Sequence, residues 1–459
     1  MKKGDKISVR IEKLAYGGKG IARVDNQIVF VDEVLPGDLA EIRIQKKKKK
    51  FLQGRVTRLL EKSPLRINAS CSHFGHCGGC KWQNLEYEEQ LKFKREQVIE
   101  SLEHLADIHP EQVYDTLPSP LKFHYRNKME FSFTDRRWLL AEELSDPSLK
   151  KDFALGLHVP GAFDRIMHID FCWLQDDMMN NILTSSQVYF RESGIPVFNL
   201  KSHQGLIRFL VLRKSFKYEE YMINIVTFRE AENELRDYSQ KMQDAFPKLV
   251  SIVNTVNPRV AQIAFGEEEY LLFGKPTIRE KIGRYEFDIS ANSFFQTNPL
   301  QAENLYRRVV NQVGCENKLI WDFYAGTGTI AMFLSEGNRK IIGFELIESA
   351  VKDAYRNCEQ NGIENCEFVQ GDLRKNLEQF SEKPDVIVCD PPRSGMHGDV
   401  VQAIREVEPR KIVYVSCNPA TMARDVKVLS EKYRVTEVHP IDMFPHTYHI
   451  ESVITLELR

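Results

Sequence analysis

The stretch Leu319-Ile-Trp-Asp322-Phe-Tyr324-Ala-Gly326-Thr-Gly328-Thr329 runs an apolar strand into a glycine turn and then into a helical segment. Glycines let a backbone pass close to a ligand, where a side chain would collide. The next apolar run, Lys340-Ile-Ile-Gly-Phe-Glu345, ends in a carboxylate 17 residues after Gly328. A carboxylate at that strand end can accept both hydroxyls of a ribose. Beyond Asn292, strand patterns near 319–323, 341–345, 366–369, 385–389 and 411–416 alternate with helical stretches. That alternation predicts an α/β fold with a doubly wound, Rossmann-like sheet.

Only two glycines of the three-glycine dinucleotide fingerprint are present. S-adenosylmethionine therefore fits the turn better than NAD does. Asp372, in Gly371-Asp-Leu, follows the third strand, where it can meet an adenine edge. Asp390-Pro-Pro-Arg393 ends the fourth strand. Two prolines stiffen the backbone there and remove two N–H donors, giving a rigid rim that holds Asp390 inward.

The fifth strand reads Lys411-Ile-Val-Tyr-Val-Ser-Cys417-Asn-Pro419. In an open α/β sheet, chemistry takes place beyond the carboxyl ends of the strands. A thiol held there by a short, stiff turn is placed like a nucleophile. The alternative is a small core hydrophobe, the commoner fate of an unpaired cysteine. Glu451, near the chain's end in Tyr448-His-Ile-Glu451, is a carboxylate in a final strand. Alone it reads as solvent-facing, and near Cys417 it can serve as a base.

At 459 residues the chain is too long for one core. We expect three domains, at 1–62, 63–285 and 286–459. No apolar run is long enough to span a membrane. The N-terminal Met-Lys-Lys-Gly-Asp-Lys has no apolar segment behind it, so the expectation is a cytoplasmic protein without a signal peptide. The net charge of −2 hides an asymmetry. Residues 1–65 hold 16 Lys+Arg against 8 Asp+Glu, leaving 47 against 57 in the rest. A small basic module on an acidic body is what a nucleic-acid partner calls for. The run Lys46–Lys50 by itself reads as a solvated loop.

Residues 4–60 carry five short alternating strands with glycine turns, one of them Tyr16-Gly-Gly-Lys-Gly20. This predicts an OB-like barrel able to bind single-stranded nucleic acid. An amphipathic helix is expected from roughly Tyr87 to Leu105. A mixed α+β region follows, with strands at Lys128–Thr134, Ile207–Arg213, Tyr221–Thr227 and Leu249–Val256. Its entry, Tyr125-Arg-Asn-Lys128, reads equally as an RNA contact or as a structural turn. Cys71, Cys77 and Cys80 sit on a Gly-rich loop, and Cys172 is the candidate fourth thiolate. Four thiolates suit zinc or an iron–sulfur cluster, and His73 and His76 keep zinc open.

Together these motifs resemble those of the S-adenosylmethionine-dependent RNA (uracil-5-)-methyltransferases, over nearly the whole chain. The carrying residues are Ser293-Phe-Phe-Gln296-Thr-Asn298, Asp322–Gly328, Asp390-Pro-Pro-Arg-Ser-Gly395, Ser416-Cys-Asn-Pro419 and His449-Ile-Glu451. The subgroup most similar is the 23S ribosomal RNA enzymes with an N-terminal TRAM barrel and an iron–sulfur cluster. The resemblance implies that Gln296, Tyr324, Glu345, Asp372 and Asp390 contact the cofactor or shape its pocket. Thr329 stands where relatives carry Asn. Cys417 would be the nucleophile and Glu451 the base. Cys71, Cys77, Cys80 and Cys172 would hold a [4Fe–4S] cluster rather than zinc. The cluster's role would be structural or RNA-positioning, because methyl transfer moves no net electrons.

The partner implied is RNA with a flipped-out uridine, in 23S rRNA, acted on by a monomer. A DNA cytosine methyltransferase is disfavoured, because its Pro-Cys order differs from the Cys-Asn-Pro here. Two other readings stand beside this one. The same chemistry on tRNA is opposed by the N-terminal barrel, which the tRNA enzymes are expected to lack. A non-catalytic, iron–sulfur RNA-binding protein is opposed by the Cys417 and Glu451 pair.

Overall fold

The N-terminal segment alternates buried and exposed side chains, as strands covering one core must. In the computed structural model, which describes residues 1–162, 164–376 and 382–459, it forms β1 (Lys6–Arg10), β2 (Lys13–Leu14), β3 (Gly20–Val24), β4 (Gln27–Asp32), β5 (Leu39–Lys47) and β6 (Phe51–Glu61). They pair in the order β1-β5-β6-β4-β3-β2. Val9, Val29, Val31, Ile42 and Leu52 fill the space beneath. Gly20 has no room for a side chain: a Cβ there would lie 2.4 Å from Val34. The sixth strand, the two-residue β2, is too short to show as an alternating pattern. Lys46 and Lys47 extend β5, and all five lysines of the run are exposed.

By its internal packing the chain forms two compact units. The first joins residues 1–68, 81–120 and 300–459, and the second joins 69–80 and 121–299.

In the first unit, α1 (Tyr87–Ser101) continues into a single π-turn at Leu102–Ala106, then β7 (Gln112–Val113). Lys94 on α1 is fully buried and pairs with Asp442 at 2.5 Å, while donating to the Phe444 carbonyl at 3.1 Å. Tyr87 donates to the other Asp442 oxygen at 2.8 Å. Burial pushes the Lys94 ammonium down, and the Asp442 carboxylate opposes this. Removing one member of such a pair strands the other charge in the interior. Lys94→Met is expected to destabilise the protein by about 3–5 kcal/mol, read as a fall in the denaturant midpoint. A variant within about 1 kcal/mol of the parent would contradict the pairing.

The second unit holds β8 (Lys128–Thr134), β9 (Ala154–His158), β10 (Ile166–His168), α2 (Asp177–Glu192), β11 (Ile207–Lys214), β12 (Tyr221–Thr227), α3 (Glu232–Ala245), β13 (Leu249–Val256) and β14 (Glu268–Gly274), and a hairpin of β15 (Thr277–Ile282) and β16 (Tyr285–Ser290). The seven-stranded sheet is ordered β10-β9-β8-β11-β12-β13-β14. Among the described strand pairs of this sheet only β12 and β13 run parallel, and α3 makes the crossover that a parallel pair requires. Part of the stretch Tyr125-Arg-Asn-Lys128 is structural. Tyr125 and Asn127 are buried, and Asn127 binds the carbonyls of Gln296 and Thr297 at 3.0 and 2.9 Å.

The rest of the first unit is α4 (Pro299–Val313), β17 (Leu319–Phe323), α5 (Thr329–Leu334), β18 (Lys340–Glu345), α6 (Glu348–Gln360), β19 (Cys366–Gln370), α7 (Leu373–Asn376), β20 (Val386–Cys389), α8 (Gly398–Val407), β21 (Lys411–Ser416), α9 (Pro419–Leu429), β22 (Tyr433–Ile441) and β23 (Glu451–Leu458). The sheet order is β19-β18-β17-β20-β21-β23-β22-β7. β17 to β21 are parallel, and β23 lies antiparallel between β21 and β22. Among the described residues no helix is long and apolar enough to cross a membrane.

Candidate active site

The carboxyl ends of the parallel strands open onto one edge, where ligands bind in open α/β sheets. Glu345 closes β18, Tyr324 follows β17, Asp390 follows β20 and Cys417 follows β21. Because β23 is antiparallel, its first residue, Glu451, arrives at the same edge. Ser416 pairs with Ser452, so Cys417 and Glu451 stand one step beyond the last rung. Ile441 of β22 flanks Glu451 on its other side.

The Cys417 turn is held from several directions. Asn418 caps α9 by accepting from the Ala420 amide at 3.1 Å, and Pro419 takes the first helical position. Asn418 Nδ2 and Thr421 Oγ1 both donate to the Arg393 carbonyl, at 3.0 and 3.2 Å. Arg424 donates to the carbonyls of Ser394 and Met396, at 3.1 and 3.0 Å. Buried Asp425 accepts from the Met396 amide at 2.7 Å and from Tyr414 at 2.8 Å. Gly395, at φ 76°, fits because a Cβ would lie 2.6 Å from the Arg424 guanidinium. The Asp390–Met396 rim is thus fastened to the first turns of α9.

Burial pushes the Cys417 thiol up to about 11; the neighbouring Glu451 and Asp390 carboxyls add to this and Arg393 opposes it. Burial also raises Glu451 well above the carboxylate range, with Asp390 adding and Arg393 opposing. Asp390 itself is pushed by burial up to about 7. Cys417, Glu451 and Asp390 thus act on one another, with Arg393 opposing the rise of the first two, and a cation entering among them would lower all three.

A folded-state value above the unfolded one makes the native state bind the extra proton, so stability falls as pH rises between the two values. For Asp390 that window runs from 3.8 to about 7. Asp390→Asn is expected to flatten the loss of stability across this window, measured by chemical denaturation at stepped pH. An unchanged slope would contradict the raised value.

The glycine turn suits a nucleoside-bearing cofactor. Gly326 faces open space, with no atom within 4 Å of where a Cβ would stand. Glu345 accepts from the Gly326 and Ile347 amides, each at 2.9 Å, which locks the turn to the end of β18. A carboxylate has lone pairs left after these two bonds. Leu346 and Ile347 are 67 % and 59 % exposed, an apolar platform beside that carboxylate. Tyr324 holds a left-handed φ of 64°, a strained conformation for a non-glycine residue. Asp322 is fully buried in β17, its carboxyl oxygens are without a hydrogen bond of normal geometry, and burial raises it well above its usual range. The acidic recess, the apolar platform and the open turn match S-adenosylmethionine, a sulfonium cation carrying an adenosine.

The other expected residues are less gathered. Thr329 opens α5, its hydroxyl 3.5 Å from that of Thr327. Asp372 follows β19, but its carboxylate is paired with Arg374 and accepts the Arg374 amide at 3.0 Å. Gln296 belongs to the second unit. So do Cys71, Cys77, Cys80 and Cys172, none of them in a disulfide. Cys71 raises Cys172 electrostatically, behind the larger effect of burial. Cys77 Sγ accepts from the amide of Gly79 on its own loop at 3.4 Å. Among the described residues no group of three or more His, Cys, Asp or Glu side chains is arranged to hold a metal ion. Arg393, Asp322 and Tyr16 carry no functional signal of their own in the sequence, although all three lie in stretches quoted above.

The sheet order, the glycine turn and the shared rim define an S-adenosylmethionine-dependent methyltransferase. Residues 86–459 match the family model described as tRNA (Uracil-5-)-methyltransferase. Residues 1–57 match the TRAM domain. An uncharacterized RNA methyltransferase of Bacteroides thetaiotaomicron is 40 % identical over 97 % of this chain and 100 % of that one. One from Chlorobaculum tepidum is 40 % identical over 99 % and 97 %. The crystal structure of the Pyrococcus abyssi tRNA (uracil-54, C5)-methyltransferase with S-adenosyl-L-homocysteine superposes with a TM-score of 0.75, at 31 % identity, over 98 % of this chain and 100 % of that one. This chain belongs to the RNA (uracil-5-)-methyltransferase family. One expectation is corrected here. A tRNA enzyme aligned over 98 % of this chain must reach its N-terminal module. That module therefore does not argue against a tRNA substrate.

Proposed function

We propose that this enzyme methylates C5 of a flipped-out uridine in 23S rRNA, with Cys417 as nucleophile and Glu451 as base. The placement of both residues one step past the last β21–β23 rung carries this reading. Uracil C5 is too weak a nucleophile to take a methyl group directly. The Cys417 thiolate adds at C6, and the resulting enolate makes C5 nucleophilic. Bound S-adenosylmethionine supplies the electrophilic methyl group. Glu451 then takes the C5 proton, and the sulfur leaves C6.

Arg393 favours both anions and so opposes their burial. Tyr324, Thr329, Glu345, Asp372 and Asp390, with Gln296, are the proposed cofactor contacts, and Glu345 and the Gly326 turn are the best supported of them. The basic TRAM module would grip RNA through phosphates, making binding salt-sensitive. Cys71, Cys77, Cys80 and Cys172 are proposed as ligands of a [4Fe–4S] cluster, with zinc the alternative. Support is the all-thiol donor set and the resemblance, and no reaction step passes through the metal. Iron, zinc and acid-labile sulfide assays on anaerobically purified protein decide between the two metals, and finding neither metal refutes both.

The Pyrococcus abyssi neighbour favours a second reading, the same chemistry on tRNA. Labelled S-adenosylmethionine, given with unmodified 23S rRNA and with unmodified tRNA, separates the two. 5-Methyluridine in 23S rRNA alone is the expected product. Label in tRNA alone keeps the chemistry and overturns the substrate. No label in either RNA overturns both.

A further inference from the structure

We infer that the TRAM module completes the catalytic pocket, with Tyr16 acting as a positioning residue for the Cys417 turn. The inference rests on the proposed role of Cys417. Tyr16 lies in the turn between β2 and β3, in the same compact unit as the catalytic sheet. Its hydroxyl donates to the Cys417 backbone carbonyl at 3.3 Å, a long contact. Its ring meets Tyr448 edge-on, with centroids 5.7 Å apart. Tyr448 in turn lies against His449, with centroids 4.2 Å apart, two residues before Glu451. Tyr16 thus touches both segments that carry the proposed nucleophile and base.

The turn is docked, not dangling. Ala15 and Gly18 close it with backbone bonds of 2.7 and 3.0 Å. Gly18, at φ 81°, packs so that a Cβ would sit 3.4 Å from Tyr448 and 3.5 Å from Trp82. Leu14, Leu35, Trp82 and Leu85 form one buried cluster, with Tyr448 packed against it. The Lys81 and Trp82 amides both donate to the His446 carbonyl, at 2.8 and 3.0 Å. The strand pair bearing Tyr16 is therefore fixed to the loop that delivers Glu451. Tyr16 is pushed up to about 12, chiefly by burial, so its hydroxyl stays a donor at physiological pH and is not a base. Cys417, Tyr448 and Glu451 add to this rise and Arg393 opposes it. An RNA-gripping residue alone would need none of these contacts.

The test compares Tyr16→Ala and Tyr16→Phe with the parent enzyme. Steady-state kcat and KM are measured, with RNA affinity at two salt concentrations and the single-turnover rate of covalent capture by RNA containing 5-fluorouridine. Tyr16→Ala is expected to lower kcat and the capture rate on the order of a hundredfold, as misplaced reacting groups do, with KM and RNA affinity within about twofold. Tyr16→Phe keeps the ring on Tyr448 and should lose only roughly threefold, the scale of one weak hydrogen bond. A Tyr16→Ala enzyme with unchanged kcat, or with losses confined to KM and RNA affinity, would overturn the inference. If the alanine variant melts early, Tyr16→Leu supplies the same comparison. Absence of capture by the parent enzyme would overturn the Cys417 role and this inference together. Capture by the parent that Tyr16→Ala matches in rate removes only the role of Tyr16.

Discussion

Cys417→Ala is expected to lower methyl transfer to RNA on the order of 10⁴-fold or more, the scale of losing a covalent nucleophile, while S-adenosylmethionine and RNA still bind. The expectation follows from the substrate as much as from the site. Without addition at C6, the pyrimidine ring gives C5 too little electron density to attack a methyl group. Among the described residues of the catalytic sheet and its helices, Cys389 is fully buried within β20, and Cys358 and Cys366 are buried on α6 and β19. Serine is not expected to rescue the loss, because a hydroxyl gives up its proton far less readily than a thiol. Single-turnover transfer of labelled methyl groups measures the effect. An alanine variant within tenfold of the parent would show that the thiol is only a packing residue.

Glu451→Gln should separate two halves of the reaction. Addition and methylation do not need the carboxylate, but release does. With the C5 proton left in place, the sulfur cannot leave C6. Turnover should fall by about 10²- to 10⁴-fold, the usual contribution of a general base. Methylated RNA joined to protein should accumulate, visible as a slow band on a denaturing gel. Glutamine is close to isosteric, so loss of fold is not the expected cause. Free product at the parent rate would reassign the base, and Asp390, in the same recess, is the carboxyl to examine next.

Much of this rim is legible in the chain because its chemistry is local. The apolar run 319–323 and its glycine turn, the Glu at 345, the Asp-Pro-Pro at 390 and the Cys-Asn-Pro at 417 each join a strand end to a turn within a few residues. What cannot be read locally is what arrives from elsewhere. Tyr16 reaches Cys417 across 401 residues of sequence, and its stretch reads only as a glycine turn. Lys94 finds Asp442 across 348 residues, and a lysine on an amphipathic helix reads as solvent-facing until its partner is known. Glu451 lies beside Cys417 only because β23 runs antiparallel against β21, a reversal that an alternating strand-helix pattern does not announce. The cysteine spacing names the thiols but not their geometry, which depends on the Gly-rich loop carrying Cys77 and Cys80.

The central claim is that Cys417 bonds to the uracil while the methyl group is installed. RNA with 5-fluorouridine at the target position has no C5 proton to remove, so the complex cannot resolve. Intact-mass and peptide mass spectrometry of the enzyme, incubated with this RNA and S-adenosylmethionine, tests the claim most directly. The expected result is one RNA and one added methyl per protein, with the nucleotide attached to the peptide bearing Cys417. Methylation of ordinary RNA without any such adduct, or an adduct on another residue, would contradict it.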